Sequence, residues 1–184
     1  MQDFSRIMGK KISVLFVVLS FFLAVNLRAQ EVKTVSMSRY ISNCLYNFSR
    51  NIDWPMDKKS GDFIITIVGS KDVYTEMTKL TQNMKVGQQS ILVKYAANPA
   101  ELSGFQHIIF VNDWQSSRFN SVMQKISGAG TLVVTETEGM IGKGSMINFI
   151  PINGMMQFEM SNDNLRKNKL MASSVLEKMA VSSN

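Results

Sequence analysis

Four short runs of β-branched and aromatic residues, separated by helical stripes or turns, limit the fold of this chain more than any other feature. They are DFIITIVG over 62–69, SILVKY over 90–95, HIIFV over 107–111 and TLVVT over 131–135. Runs that are apolar nearly throughout, rather than alternating, belong to strands covered on both faces. Between the first two runs, Val73, Met77, Leu80 and Met84 recur at helical spacing. Between the last two, Phe119, Val122, Met123 and Ile126 do the same, and Gly128 and Gly130 end that helix. A linker holding Asn98-Pro99 joins the middle pair. Strands alternating with helices in this way build a mostly parallel sheet with helices on its faces.

The flanking segments extend the pattern. Upstream, Met37, Tyr40, Ile41, Cys44, Leu45 and Phe48 form one stripe of a helix that Trp54-Pro55 stops. Downstream, Ser145–Ile150 and Met155–Met160 surround Pro151-Ile152-Asn153-Gly154, and Asn-Gly between apolar runs signals a hairpin. A last helix, capped near Ser161 or Asn162, is expected to turn Leu165, Met171, Val175, Leu176 and Met179 inward. The expected fold is a single α/β domain: a mostly parallel central sheet with helices on both faces and an antiparallel C-terminal hairpin.

The first residues read differently. Arg6, Lys10 and Lys11 precede an apolar stretch from Ile12 to Val25, and the small Ala29 follows. This is the order of a secretory signal peptide, and the stretch is shorter than the roughly 20 residues a spanning helix needs. The expected division is a signal peptide over 1–29, cleaved after Ala29, and an exported domain over 30–184. Charge follows the same division. The whole chain carries +6, but removing Arg6, Lys10, Lys11, Arg28 and Asp3 leaves +3. The densest remaining cluster is Arg166, Lys167 and Lys169, too little for counterion-release binding, so nucleic acid is not an expected partner.

Little in the chain can carry chemistry. His107 is the only histidine; it opens an apolar strand, and no Gly-x-Ser-x-Gly turn accompanies it. Cys44 is the only cysteine, so no intramolecular disulfide forms, and its place among apolar helix positions suits a buried structural thiol. One histidine and one distant cysteine offer no metal cluster. Gly139, Gly142 and Gly144 resemble a phosphate loop, but Lys143 precedes the last glycine and a strand follows, so bends are expected instead. Asp53, Glu136 and Glu138 could make an acid–base pair, yet nothing in their spacing brings them together. The reading is therefore a non-enzyme with no catalytic, cofactor or metal residues. Most methionines fill the core; Met140, Met155 and Met156 lie near expected loops, where this adaptable side chain also suits partner surfaces.

The order of several blocks resembles the YfiR-like family of periplasmic proteins. They are the helix and stop from Tyr40 to Pro55, the strand Phe63–Gly69, Val86-Gly87-Gln88, His107–Val111 and Thr131–Glu136. Gly142–Phe149, Met156–Asn162 and the closing Leu170–Leu176 complete the set. The resemblance spans about 36–180. It implies a non-enzymatic periplasmic regulator that binds the sensor domain of an inner-membrane diguanylate cyclase, holds it inactive and so lowers cyclic di-GMP. A histidine kinase is an equally physical target, and an outer-membrane lipoprotein and a second copy of the chain are further partners. Family members carry cysteine pairs where this chain has Cys44 alone. Interfaces favour aromatics, Met and Arg, which makes Tyr46, Arg50 and Trp54 the candidates here; Trp54 could equally plug the core beneath Pro55. The alternative is a small-molecule binding module, its crevice at the carboxyl ends of the strands near Ser70, Asn112, Gly142 and Gly144.

Overall fold

A computed structural model describes residues 37–126 and 130–182. The expected signal peptide and Gly128 lie outside the described residues. Helix α1 runs over 37–51 and leads into the two-residue strand β1, Ile52–Asp53. There follow β2 (Phe63–Val68), α2 (Lys71–Thr81), β3 (Lys85–Val86), β4 (Gln89–Ala96), β5 (Ile108–Val111), α3 (Phe119–Lys125) and β6 (Leu132–Thr135). The chain ends with β7 (Ile147–Ile152), β8 (Met155–Met160), α4 (Asn162–Lys167), β9 (Met171–Ala172) and α5 (Ser174–Met179).

Seven strands form one sheet in the order β3-β4-β2-β5-β6-β7-β8. The five from β4 to β7 are parallel, and β3 and β8 close the margins antiparallel. The first parallel connection, through α2, steps from β2 outward to β4; the next helical one, through α3, steps from β5 the opposite way to β6. Since such crossovers are right-handed, α2 and α3 fall on opposite faces. All four residues of β5 and of β6 are buried, as covered parallel strands require.

Helix α1 joins the α2 face. Ser42 Oγ reaches the Val73 carbonyl of α2 at 3.3 Å, so a small polar residue allows close helix approach. Ile41, Leu45 and Phe48 are buried as the spacing predicts, while Tyr40 and Cys44 sit at the margin. Burial pushes the Cys44 thiol up, and burial with Cys44 beside it pushes the Tyr40 phenol up to about 12. Phe149 of β7 is the centre of this core. Its ring lies 5.9 Å from Phe48, 6.2 Å from Tyr40, 6.4 Å from Phe110 and 6.5 Å from Phe158.

The hairpin forms where Asn-Gly predicts it. Asn153 and Gly154 both take the left-handed conformation, with φ of 51° and 78°, which a two-residue turn matched to the strand twist requires. Pro151 belongs to β7 rather than to the turn. The C-terminal helix does not form as one piece. Lys169 turns left-handed at φ 57°, and the chain then pairs Met171 with Asp53 and Ala172 with Ile52 before α5 begins. Leu165, Leu170 and Leu176 face inward, but Met171, Val175 and Met179 are 63%, 58% and 49% exposed. The inward placement of those three is thus corrected by the break, which rotates their side of the chain outward.

Phe149→Ala should cost about 3–5 kcal/mol, because the ring is fully enclosed and its aromatic neighbours cannot collapse into the space. Urea unfolding followed by circular dichroism measures it, and a loss below about 1 kcal/mol would mean that this core is not packed as described.

Candidate functional site

At the amino end of the sheet, the helix stop predicted at Trp54-Pro55 becomes a plug. Trp54 is 5% exposed, with its ring 5.0 Å from Phe63, which opens β2, and 6.2 Å from His107, which precedes β5. Its indole N–H has no hydrogen-bond partner among the described residues. Trp54 therefore does not stand on the surface, and what it offers is a wall shared by two grooves. One, of about 400 Å³, is lined by Trp54, Pro55, Met56 and Met171 with Lys59, Arg166 and Lys169 at its rim. The other, of about 440 Å³, lies toward Arg50, Phe63 and the β3–β4 turn.

His107 holds this end together. The Ile64 N–H donates to its Nδ1 at 3.0 Å, so the proton must be on Nε2, which donates to the Lys58 carbonyl at 2.8 Å. The ring stacks on Phe63 at 4.2 Å. Burial, as the largest cause, holds its pKa below the ordinary 6.5. Both nitrogens are engaged with backbone, which leaves neither for proton transfer to a substrate. The sequence shows an isolated strand-opening histidine, for which one local hydrogen bond is the expectation; both bonds instead cross the chain, 43 residues to Ile64 and 49 to Lys58, and neither has a local signal.

Of the other interface candidates, Arg50 is exposed with its guanidinium 5.8 Å from the ring centre of the half-buried Tyr46. One position further along each turn of α1, Asn47 and Asn51 face α5. Asn51 Oδ1 accepts from Ser173 Oγ at 3.0 Å, and Asn47 Nδ2 donates to Met179 Sδ at 3.6 Å. The outward stripe Met171, Val175, Met179 thus lies beside the Tyr46–Arg50 ridge. Met56 is 80% exposed. None of these four apolar residues was legible as exposed, whereas Met140, near an expected loop, is buried and Met155 alone of its group is fully outward.

The carboxyl end holds two of the four crevice candidates. The strand order reverses direction between β2 and β5, the position where open sheets leave a crevice. Ser70 and Asn112 stand there, but both are engaged: Ser70 Oγ accepts from the Val73 N–H, and Asn112 Oδ1 accepts from the Trp114 N–H. The Asn112 amide also donates to Glu136, which the Asp113 N–H reaches at 3.1 Å. Gln115 fills the space over Gly69, where a Cβ would come within 2.7 Å of its Cγ. Burial, reinforced by the Asp113 charge, pushes the Glu136 carboxyl up. Gly142 and Gly144 are not brought to this crevice: Gly144 lies against Met123 of α3, and Asn164 of α4 donates to the Ile141 and Ser145 carbonyls on either side. The carboxylates are also kept apart, since Asp53 pairs with Lys59 at 2.6 Å at the amino end and Glu136 follows β6 at the carboxyl end. Among the described residues no group of three His, Cys, Asp or Glu side chains could hold a metal ion, and no helix is long and apolar enough to cross a membrane.

A doubly wound sheet with two grooves at its amino end, beside a helix that leads through Trp-Pro into the plug, makes this a small α/β domain. The chain belongs to the YfiR/HmsC-like family, whose model matches residues 39–181. No curated protein matches it.

The opposite shifts of His107 and Glu136 give a pH dependence with a definite sign. A histidine lowered in the fold contributes stability that is present above about pH 6.5 and lost as the pH falls. A carboxyl raised in the fold does the reverse, losing stability as pH rises above about 4.5. In Glu136→Gln the opposing contribution is gone, so urea midpoints should fall more steeply from pH 6.5 to pH 5 than in the parent. A flatter profile in the variant contradicts the assignment.

Proposed function

We propose that this protein is a non-enzymatic periplasmic regulator that binds the periplasmic part of an inner-membrane sensor, a diguanylate cyclase or a histidine kinase, and represses or modulates it. It would thereby influence cyclic di-GMP-type signalling. Membership of the YfiR/HmsC-like family supports the class. The observation that carries the reading is the outward apolar stripe of Met171, Val175 and Met179, continued by Met56 across the groove. A chain that has inverted an apolar stripe away from its own core gains nothing from it as a monomer. Large exposed apolar patches mark surfaces completed by another molecule.

The chemistry of this face fits a protein rather than a small metabolite. Methionine adapts to the shape of a partner, and Arg50 with Tyr46 adds the residue types that concentrate binding energy at interfaces. Lys59, Arg166 and Lys169 rim the groove, and two of them already carry partners, Asp53 and Asp163, so the rim stays hydrated and steers rather than anchors.

The variant Met171→Asp with Val175→Asp should lose co-purification with an inner-membrane sensor from detergent-solubilised membranes while keeping the thermal midpoint of the parent. If the midpoint falls by more than a few degrees, these side chains are packed inside the protein itself and the surface reading fails. If binding survives intact, the partner docks elsewhere.

A further inference from the structure

The two margins of the seven-stranded sheet are treated differently. Outside β8, the C-terminal segment pairs with the strand: the Val181 N–H donates to Phe158 O and the Met160 N–H to Ser182 O, each at 3.0 Å. Over Phe158–Met160 that edge is covered by the protein's own chain. Outside β4, the short β3 reaches only Ser90 and Gln89, through Lys85 and Val86. One further bond, from the Ile91 N–H to Met84 O at 3.4 Å, ends the contact. Over Ile91–Ala96 β4 is paired with β2 on one side, and no described strand lies on the other.

An unpaired edge leaves a row of main-chain donors and acceptors aimed outward, and native proteins normally cover or blunt it. Here the surroundings favour one kind of occupant. Tyr95 meets Tyr74 of α2 at 5.7 Å, so Ile91, Val93 and Tyr95 face the helix and Leu92 and Lys94 stand exposed on the other face. Where β3 stops, a cavity of about 670 Å³ opens between the end of α2 and β4, and its charged lining residues are Lys79 and Lys85. Lys79 is bridged to Glu76 at 3.3 Å, while Lys85 and Lys94 have no described ion pair. Edge lysines oppose pairing with a second copy, which would bring two sets of cations into one seam. They favour a strand that supplies carboxylates.

We propose that the open edge of β4 accepts an extended, acidic segment of a protein partner, added to the sheet through main-chain hydrogen bonds. Its carboxylates lie on the face of Lys85, Leu92 and Lys94, and its alternate apolar residues lie on the face of Ile91, Val93 and Tyr95. This is strand addition, in which the backbone supplies affinity and the alternate side chains supply selectivity. It uses none of the residues of the Met171–Met179 surface, so either can fail without the other.

The test is amide hydrogen exchange on the purified chain with an acetylated, amidated hexapeptide alternating glutamate with valine, and with its lysine–valine counterpart. The glutamate peptide should saturably slow alternate amides within Leu92–Ala96, and the lysine peptide should not. Lys85→Glu with Lys94→Glu should weaken the first peptide roughly tenfold or more and admit the second. Equal response to both peptides overturns the proposal. So does slow exchange of the outward amides in the free chain, which means that the chain covers its own edge, or protection that grows with protein concentration, which means that a second copy does.

Discussion

One histidine, through its ring and its backbone, ties together three stretches of chain that are far apart in sequence: 58–64, its own strand and the start of β6. His107 accepts the Ile64 N–H on Nδ1, donates from Nε2 to Lys58, and through its own backbone bonds Ile64 O at 2.9 Å and the Leu132 N–H at 2.8 Å. It therefore registers β2 against β5 and β6 and also pins the loop that follows Trp54. Gln89 Nε2 donates to the same Lys58 carbonyl at 3.1 Å and to Ser60 O at 3.2 Å, bringing the start of β4 to the same point. With Phe63 stacked on one face of the ring and Phe105 and Trp54 meeting its edge region, the imidazole is kept neutral by the cost of burying a charge. The two grooves beside Trp54 owe part of their shape to this knot, because the loop over 55–60, which it holds down, contributes Pro55, Met56 and Lys59 to one groove and Lys59 to the other.

A second polar seam works where β6, β7 and β8 meet. Thr135 Oγ1 donates to Asn148 Oδ1 at 2.7 Å, the Thr137 N–H reaches the same oxygen at 3.2 Å, and Asn148 Nδ2 donates to Glu159 at 2.9 Å. Ser145 Oγ donates to Ile147 O at 2.9 Å. These groups are nearly all buried, and each is satisfied, so they add direction to a core that apolar contacts alone would leave free to slide. Both polar devices serve the same end: they fix the register of the sheet strands.

Much of the fold was legible in local pattern. The four apolar runs, the stripe of α1 and the Asn153-Gly154 hairpin all follow from spacing or turn chemistry within a dozen residues. What was not legible depends on distant partners. Lys169 carries no local signal for a left-handed turn, and β1 and β9, two residues each, exist because Ile52 and Ala172 meet across the chain. That pairing decides which side of the last segment faces out. The candidate site divides in the same way. Arg50 is exposed, but the burial of Trp54 depends on Phe63 and His107, and a Trp beside a proline is equally compatible with plug or anchor. Ser70 and Asn112 stand just past the ends of β2 and β5, while Gly142 and Gly144 belong to a connection that turns toward α3 and α4.

His107 acts as a neutral, doubly bonded strut that shapes the amino-end face. Nitrogen-detected NMR of the imidazole across pH 7.5 to 5 tests this most directly. While neutral the ring should carry its proton on Nε2, with titration displaced below the ordinary value of about 6.5. A ring that titrates at or above that value, or that carries its proton on Nδ1, would contradict the knot and with it the shape assigned to both grooves.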